Sequence, residues 1–167
     1  MQETAQQYTA RIIGNLQGQD PMRVLKGMPR RIANAISGLS AARLRKRPAP
    51  GVWSIAEIVA HLAETEIVLA WRYRSIVEKN GVPLQPFEQD LWAENSRYRQ
   101  SDTKAMLELY RIVRAANIRF LSGLSAAQWK MFGLHQERGK ETIAHIVRLE
   151  AGHDINHFKQ IQRILRG

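Results

Sequence analysis

The 167-residue sequence contains no cysteine. This absence excludes a disulfide framework, a thiol nucleophile and a cysteine-ligated zinc site within the chain. The sequence also lacks an apolar run long enough to cross a membrane, and residues 2–7 are polar where a signal peptide would turn apolar. With neither an export signal nor a membrane segment in view, the sequence predicts a cytoplasmic protein that makes no contact with a membrane.

Acidic residues are also scarce, because 15 Asp and Glu stand against 25 Lys and Arg, which gives a formal net charge of +10. Such an excess can attract nucleic acid or small anionic substrates. The basic residues gather at Arg30–Arg31 and at residues 43–47, but no recognition helix, aromatic–basic alternation or zinc-finger spacing accompanies them. We therefore expect a solvated basic surface rather than a nucleic-acid-binding protein.

Strand-like alternation is missing too, and helical periodicity takes its place. The clearest helix start is at Ser54, where Glu57 completes a capping box and Trp53 can pack against Ile58. Pro29 predicts a kink in the first long helix, or a late start to it. Four long helices are predicted: Pro21 to Gly38, a Ser54 cap to about Glu78, a Ser101 or Asp102 cap to Gly123, and a Thr142 cap to Arg166.

Two segments recur in the two halves of the chain. Residues 38–42 (Gly-Leu-Ser-Ala-Ala) return at 123–127, and residues 54–59 are matched by 142–147 at the start of another capped helix. Each half therefore reads as a helical hairpin, and a long connection over residues 82–98 joins the halves. The predicted fold is all-α: a four-helix bundle built as two helical hairpins with a long crossover between helices 2 and 3.

The bundle is predicted to occupy residues 21–167, which is enough chain to bury a core of its own. Residues 1–20 form an N-terminal extension in which a short helix is predicted between Glu3 and Leu16. We expect this extension to cover a surface of the bundle or to contact a partner. Residues 133–140, which precede the last helix, are predicted to form a polar loop.

Four ionisable residues occupy the middle of the apolar stripe of the last helix, namely Glu150, His153, Asp154 and His157. His153 and His157 are four residues apart, so both rings can reach one point beside the helix. Ionisable groups on a core-facing stripe are costly unless they are paired or coordinated, which suggests a metal ion. This spacing allows a metal site but does not by itself indicate one, since exposed helices often carry such histidine pairs. A metal site would also need a third ligand from another part of the chain.

The second long helix offers His61 at the margin of its buried face and Glu66 within that face. Taken alone, His61 is typical of a hydrogen-bonded, partly buried histidine, and Glu66 is typical of a structural carboxylate. In the doubled hairpin, however, the second and fourth helices hold equivalent places, so His61 can meet His153 and His157. Three neutral imidazoles would leave coordination positions open for water or substrate.

Three motifs follow one another between residues 20 and 165: Trp53-Ser54-x-x-Glu57-x-x-x-His61-Leu62 with Glu66, then Asp90-Leu91-Trp92-Ala93, then Glu150-x-x-His153-x-x-x-His157-x-x-Gln160-Ile161. In this order they resemble the DinB-like (YfiT-related) metal-binding proteins. The resemblance implies a four-helix bundle, often dimeric, with one divalent ion (nickel, zinc or manganese) held by His61, His153 and His157. His135 and His145 do not match ligand positions, and the N-terminal extension departs from the family's compact form.

The resemblance also implies a class of function. Better-understood relatives are thiol-dependent transferases and isomerases that use bacillithiol, mycothiol or glutathione, and others are described as metal-dependent hydrolases. We therefore expect a metal-dependent S-transferase, isomerase or hydrolase that acts on a small molecule, with a low-molecular-weight thiol as a candidate cosubstrate and a homodimer as the assembly. The alternative is a non-catalytic metal-binding or dimerisation module. The family name derives from DNA damage and does not indicate a polymerase.

The remaining candidates fall into three groups. Carboxylates near the histidines can fix the tautomer of a ring or act as a base: Glu150, Glu66 and Asp154. Residues of the long connection can close the site from above: Asp90 and Trp92. Arginines that follow can bind an anionic substrate, although a solvated arginine is the commoner case: Arg97 and Arg99.

Overall fold

A computed structural model describes residues 3–167 of the chain. Four long helices and several short elements follow one another in it: α1 (Ala5–Gly14), α2 (Pro21–Ile36), α3 (Ala41–Arg45), α4 (Ile55–Glu78), β1 (Val82–Leu84), α5 (Gln89–Asn95), a 3₁₀ turn (Tyr98–Gln100), α6 (Thr103–Ser122), α7 (Ala126–Trp129), β2 (Phe132–His135), β3 (Gly139–Thr142) and α8 (Ile143–Arg166). None of the helices in this part of the chain is both long and apolar enough to cross a membrane.

The long helices α2, α4, α6 and α8 form a four-helix bundle. Helix α4 packs along α6 and against α8, and α2 packs against both α8 and α6. Their inward faces supply a common apolar core that includes Met28, Ile32, Ile58, Leu62, Tyr73, Ile76, Ile143 and Ile161. The prediction of an all-α bundle of two hairpins is therefore confirmed.

The helix starts follow the capping residues of the sequence. The Ser54 side chain accepts a hydrogen bond from the Glu57 backbone N–H, and the Glu57 carboxylate accepts one from the Ser54 N–H, which forms the predicted capping box. Thr142 caps α8, and Asp102 rather than Ser101 caps α6. Because these caps fix where α4 and α8 begin, they also fix which residues of each helix face inward.

A small three-stranded sheet corrects the expectation of a polar loop at residues 133–140. Strand β2 pairs antiparallel with β3, and β1 pairs parallel with β2. A Cβ on Gly133 would lie 2.5 Å from the Leu84 side chain, so glycine permits this close approach of β1 and β2. Strands of three and four residues are too short for alternation to stand out in the sequence. The sheet ties the crossover after α4 to the segment before α8.

Pro29 lies inside α2, which begins at Pro21, so the predicted late start is wrong. A proline has no N–H to donate to the carbonyl four residues earlier, which is that of Leu25. The Arg114 guanidinium fills this role, because its Nη1 donates to the Leu25 oxygen over 3.1 Å. Arg114 is 3% exposed, so the hydrogen bond joins α2 to α6 inside the bundle.

The N-terminal extension forms α1, capped by a box between Thr4 and Gln7, and packs against α8. The two helices approach each other closely at Gly152, where a Cβ would lie 2.1 Å from the carbonyl oxygen of Ile12. Backbone therefore meets backbone one residue before His153. Only glycine leaves room for α1 at this position.

We expect Gly152→Ala to lower the free energy of unfolding by about 1–3 kcal/mol, because the added methyl group must push the backbone of α1 away from α8. Urea denaturation followed by circular dichroism measures the effect. Gly27→Ala is the matched control, since Gly27 lies within α2 with nothing within 4 Å of its Cβ position. The control should be neutral or stabilising by up to about 1 kcal/mol. Equal stability of the two variants would contradict the docking of α1.

Candidate metal centre

Three histidine rings from α4 and α8 converge inside the bundle. The Nε2 atom of His153 lies 3.1 Å from Nε2 of His61 and 3.0 Å from Nε2 of His157. Two imidazole nitrogens bound at about 2.1 Å to one ion would be separated by roughly 3.0–3.4 Å, so these spacings match neighbouring corners of a coordination shell. The sequence predicted this meeting, and the structure brings all three histidines together.

The hydrogen bond of His157 fixes the tautomer of that ring and leaves one of its nitrogens free to bind a cation. The Nδ1 atom of His157 lies 2.8 Å from Oε1 of Gln160, an acceptor, so Nδ1 carries the proton and Nε2 presents its lone pair to the centre. Within residues 3–167, Nδ1 of His61 and Nδ1 of His153 have no hydrogen-bond partner. Three Nε2 atoms that face one another at hydrogen-bond distance cannot all be acceptors unless a cation or protons lie between them. The donor set therefore fits a divalent metal ion.

Burial keeps these imidazoles neutral. Burial lowers the pKa of His153 to about 4, and the positive charge of Arg114 contributes to that shift. Burial lowers the pKa of His157 to about 3, and His153 contributes to that shift. The pKa of His61 is also well below its usual value, through burial first and then through the other two histidines. A metal-binding imidazole must be unprotonated, so at neutral pH all three rings are in the form that binds a metal.

Trp53 packs against the same rings. Its ring centroid lies 5.0 Å from that of His61, and it stacks on His157 with 13° between the planes and 6.4 Å between the centroids. The sequence predicted packing of Trp53 against Ile58 and gave no sign of contact with the histidines. Because the residue immediately precedes the Ser54 cap, the start of α4 positions both His61 and the indole that covers it.

The neighbouring carboxylates surround one buried cation, Arg114 of α6. Its Nη2 lies 2.7 Å from Oε1 of Glu66 and 3.2 Å from Oε1 of Glu150, and its Nη1 lies 2.6 Å from Oδ2 of Asp154. Tyr110 completes the cluster by donating to Oδ2 of Asp154 over 2.9 Å. Sequence reasoning missed Arg114, although three buried carboxylates on two helices were a signal that a third helix must supply a cation.

The two proposed bases have different surroundings. Glu66 accepts hydrogen bonds from Arg114 and from Nδ2 of Asn117, and it joins neither of the groups of potential metal ligands in the described chain. Glu150 lies closer to the histidines, with Oε2 at 3.9 Å from Nδ1 of His153. Burial, followed by the charges of Asp154 and Glu66, raises the pKa of Glu150 well above its usual value. Glu150 is therefore a carboxyl group that can hold a proton near the histidines.

Two cavities adjoin the three histidines. One, of about 570 Å³, is lined by His61 and His153 together with Thr65, Arg72 and Tyr8. The other, of about 530 Å³, is lined by residues that include Trp53, His157, Gln160, Asp90 and Arg163. Small molecules bind in cavities of this size, so both sides of the histidine cluster can receive a ligand.

Asp90 and Trp92 were expected to close the site, and Arg97 and Arg99 to bind a substrate, but only Asp90 of these four lines one of the two cavities. Asp90 lines the cavity beside His157, whereas Trp92 packs on Phe87 with 4.9 Å between ring centroids. Arg97 and Arg99 are exposed and line neither cavity. Their predicted contact with an anionic substrate has no support in this arrangement, and the arginines that do line the cavities are Arg72, Arg138 and Arg163.

The other two histidines lie apart from the centre, as the sequence predicted. The buried Nδ1 of His135 accepts hydrogen bonds from the backbone N–H groups of Glu137 and Arg138, which stabilises the turn between β2 and β3. His145 is partly exposed near the start of α8, with Nε2 at 3.9 Å from Oε1 of Glu141. Neither residue belongs to the histidine cluster.

Known proteins resemble this chain in sequence and in fold. The family model of the DinB superfamily matches residues 25–161. "Putative metal-dependent hydrolase YfiT" of Bacillus subtilis is 21% identical over 147 residues, which cover 87% of this chain and 82% of YfiT. A protein of the same description from Geobacillus kaustophilus, GK0616, is 28% identical over 78 residues, which cover 47% of this chain and only 44% of GK0616.

A solved structure of Bacillus subtilis YfiT shares the fold. It superimposes with a TM-score of 0.78 at 20% sequence identity and covers 86% of this chain and 84% of YfiT. That structure is described as a probable metal-dependent hydrolase with an unusual four-helix bundle topology. The match shows the fold of the present chain, and the family model over residues 25–161 confirms the resemblance that the motifs indicated.

Proposed function

The chain belongs to the DinB superfamily, and on that premise we propose that it is a metal-dependent enzyme in which His61, His153 and His157 hold one divalent ion. The observation that carries the proposal is the convergence of three buried Nε2 atoms, with neighbouring distances of 3.0 and 3.1 Å. Three imidazoles can bind nickel, zinc or manganese, so we propose a divalent ion without identifying the metal. The names of the relatives, which describe metal-dependent hydrolases, support the same class.

A divalent ion in this place would supply a Lewis acid that acidifies a water or thiol nucleophile and polarises a substrate oxygen. The chain itself positions the ligands. Gln160 holds the Nδ1 proton of His157, so its Nε2 stays available to the centre. Trp53 packs against the rings of His61 and His157 and forms part of the wall of the cavity beside His157. Glu150 can take up or release a proton near His153.

Hydrolysis and thiol transfer are both compatible with such a nucleophile. Relatives described as hydrolases favour hydrolysis, and the absence of cysteine means that a thiol would come from a separate cosubstrate. The non-catalytic alternative predicts a metal covered by protein groups. Cavities of about 570 and 530 Å³ beside the histidines favour an enzyme over that alternative. A homodimer in solution remains our prediction, for which light scattering is the measurement.

Turnover assays test the proposal. Protein loaded with zinc, nickel or manganese should hydrolyse some members of a panel of small esters and amides, or join bacillithiol, mycothiol or glutathione to small electrophiles. A chelator should abolish the activity, and His145→Ala should retain it because His145 lies outside the cluster. Stoichiometric metal without turnover on either panel would favour the non-catalytic module.

A further inference from the structure

The cavity beside His61 and His153 contains a second polar feature that the metal centre does not use. Helix α4 presents one stripe to this cavity, formed by His61, Thr65, Leu69 and Arg72. These residues are spaced by three or four positions, so they lie along one face of the helix. The stripe runs from the histidine cluster toward Arg72, about 16 Å further along the helix axis at the level of the backbone.

Two side chains of this stripe are deeply buried and only partly paired. Arg72 is 7% exposed, and its Nη2 donates to the Gln85 carbonyl over 2.6 Å, but its Nε has no acceptor within residues 3–167. Thr65 is 6% exposed, and its hydroxyl likewise has no partner in that part of the chain. A buried guanidinium is costly unless an anion or several hydrogen bonds compensate it.

Four carboxylates line the cavity, and none of them is paired with Arg72. Glu88 and Glu137 are exposed, Glu3 pairs with Arg11, and the buried Glu150 contacts Arg114. Arg138 also lines the cavity but is already paired with Glu141 at 2.7 and 3.1 Å. Arg72 is therefore the lining cation whose charge lacks a carboxylate partner among the described residues.

Apolar side chains form part of the wall. They are those of Leu69, Ile146, Leu149 and Phe87, and α1 adds Ala5 and Tyr8. Because α1 lies outside the residues matched by the family model, this wall is partly a feature of the present chain. The cavity combines a hydrocarbon surface with one buried cation and one free hydroxyl, which suits an organic anion better than a fully hydrated one.

We propose that Arg72 and Thr65 form a carboxylate subsite, which binds the acid group of a small substrate with an apolar body and directs the rest of that substrate toward His61 and His153. The Nε–H of Arg72 and the hydroxyl of Thr65 donate to the carboxylate oxygens, and Leu69 and Ile146 contact the apolar body. This inference rests on the proposed function, since it names the substrate class of the same site.

Isothermal titration calorimetry of the full chain with 4-phenylbutyrate tests the subsite, with 4-phenylbutyramide and inorganic phosphate as comparison probes. Titrations in metal-free protein separate Arg72 from the metal, because a carboxylate can also bind an ion. We expect 4-phenylbutyrate to bind metal-free protein at least tenfold more tightly than its amide. Arg72→Met should weaken the acid at least tenfold, and Thr65→Val should weaken it several-fold without affecting the amide.

Arg163→Met is the matched control, because it removes the same charge from the cavity on the other side of the histidines. It should leave the affinity for 4-phenylbutyrate unchanged. If Arg72→Met does not fold by circular dichroism, Thr65→Val and Arg72→Lys decide the question, since the first removes only a hydroxyl and the second keeps the charge but removes the Nε–H.

Equal affinity for acid and amide, or an affinity that Arg72 and Thr65 variants do not change, would overturn the subsite. So would binding of the acid only to metal-loaded protein, which would place the carboxylate on the ion. Phosphate that binds as tightly as the acid, through Arg72, would overturn the assignment to carboxylates. Because all of these outcomes leave metal affinity unaltered, they are distinct from a failure of the proposed function, which would appear as loss of metal binding.

Discussion

Arg114→Met is expected to lower the free energy of unfolding by about 3–5 kcal/mol, the usual cost of removing one partner from a buried ionic cluster. The guanidinium is 3% exposed and contacts Glu66, Glu150 and Asp154. Without it, three carboxylates face one another inside the bundle. The carbonyl of Leu25, which Pro29 leaves without a helical donor, also loses its hydrogen bond. Urea denaturation at neutral pH measures the loss.

Arg111→Met is the matched control, since Arg111 lies one turn earlier on α6 but is exposed and, within residues 3–167, pairs only with Glu108 at the surface. Its effect should stay below about 1 kcal/mol. The loss of unfolding free energy in Arg114→Met should become smaller as the pH falls. Unpaired buried carboxyl groups have raised pKa values in the folded state. The folded variant therefore binds more protons than the unfolded chain, so a lower pH stabilises it. Equal losses in the two variants would show that the cluster does not stabilise the bundle.

Alanine in place of His61, His153 or His157 is expected to weaken metal binding at least about 100-fold in each case, since changes in residues that merely orient a ligand already cost 10–100-fold. All three rings contribute an Nε2 atom to one point, so the loss of any one leaves an incomplete shell. Competition titration against a chromophoric chelator gives the affinities. Circular dichroism should show that each variant keeps its helical fold.

His145→Ala is the control for these variants, because His145 lies on α8 but outside the cluster. Its metal affinity should be within about twofold of the unchanged protein, a difference of under ~0.5 kcal/mol. A variant of His61, His153 or His157 that retains full affinity would show that the residue replaced is not a ligand. Retention in all three would remove the basis of the proposed enzyme.

Local signals in the sequence were sufficient to predict much of the bundle. Ser54 and Thr142 cap α4 and α8 as predicted, because a capping hydrogen bond involves residues only three apart. The pairing of His153 with His157 follows from helical spacing in the same way. His61 lies 92 residues from His153, so its place in the cluster required the repeat and the family resemblance.

Contacts between distant segments were not predictable in this way. Arg114 and Arg72 are two of 25 basic residues, and a basic residue is far more often exposed, as Arg97 and Arg99 are here, than buried. Packing of the helices alone decides which arginine is buried. The docking of α1 at Gly152 depends likewise on a surface assembled from two distant parts of the chain.

X-ray absorption spectroscopy at the edge of the bound metal, on protein purified without a histidine tag, identifies the atoms that coordinate the ion. We expect one ion per chain with three imidazole nitrogens at about 2.0–2.2 Å, visible through the multiple scattering of the imidazole rings. A stoichiometric ion surrounded by oxygen ligands alone, or no bound ion after purification and reconstitution with zinc, nickel or manganese, would contradict this expectation.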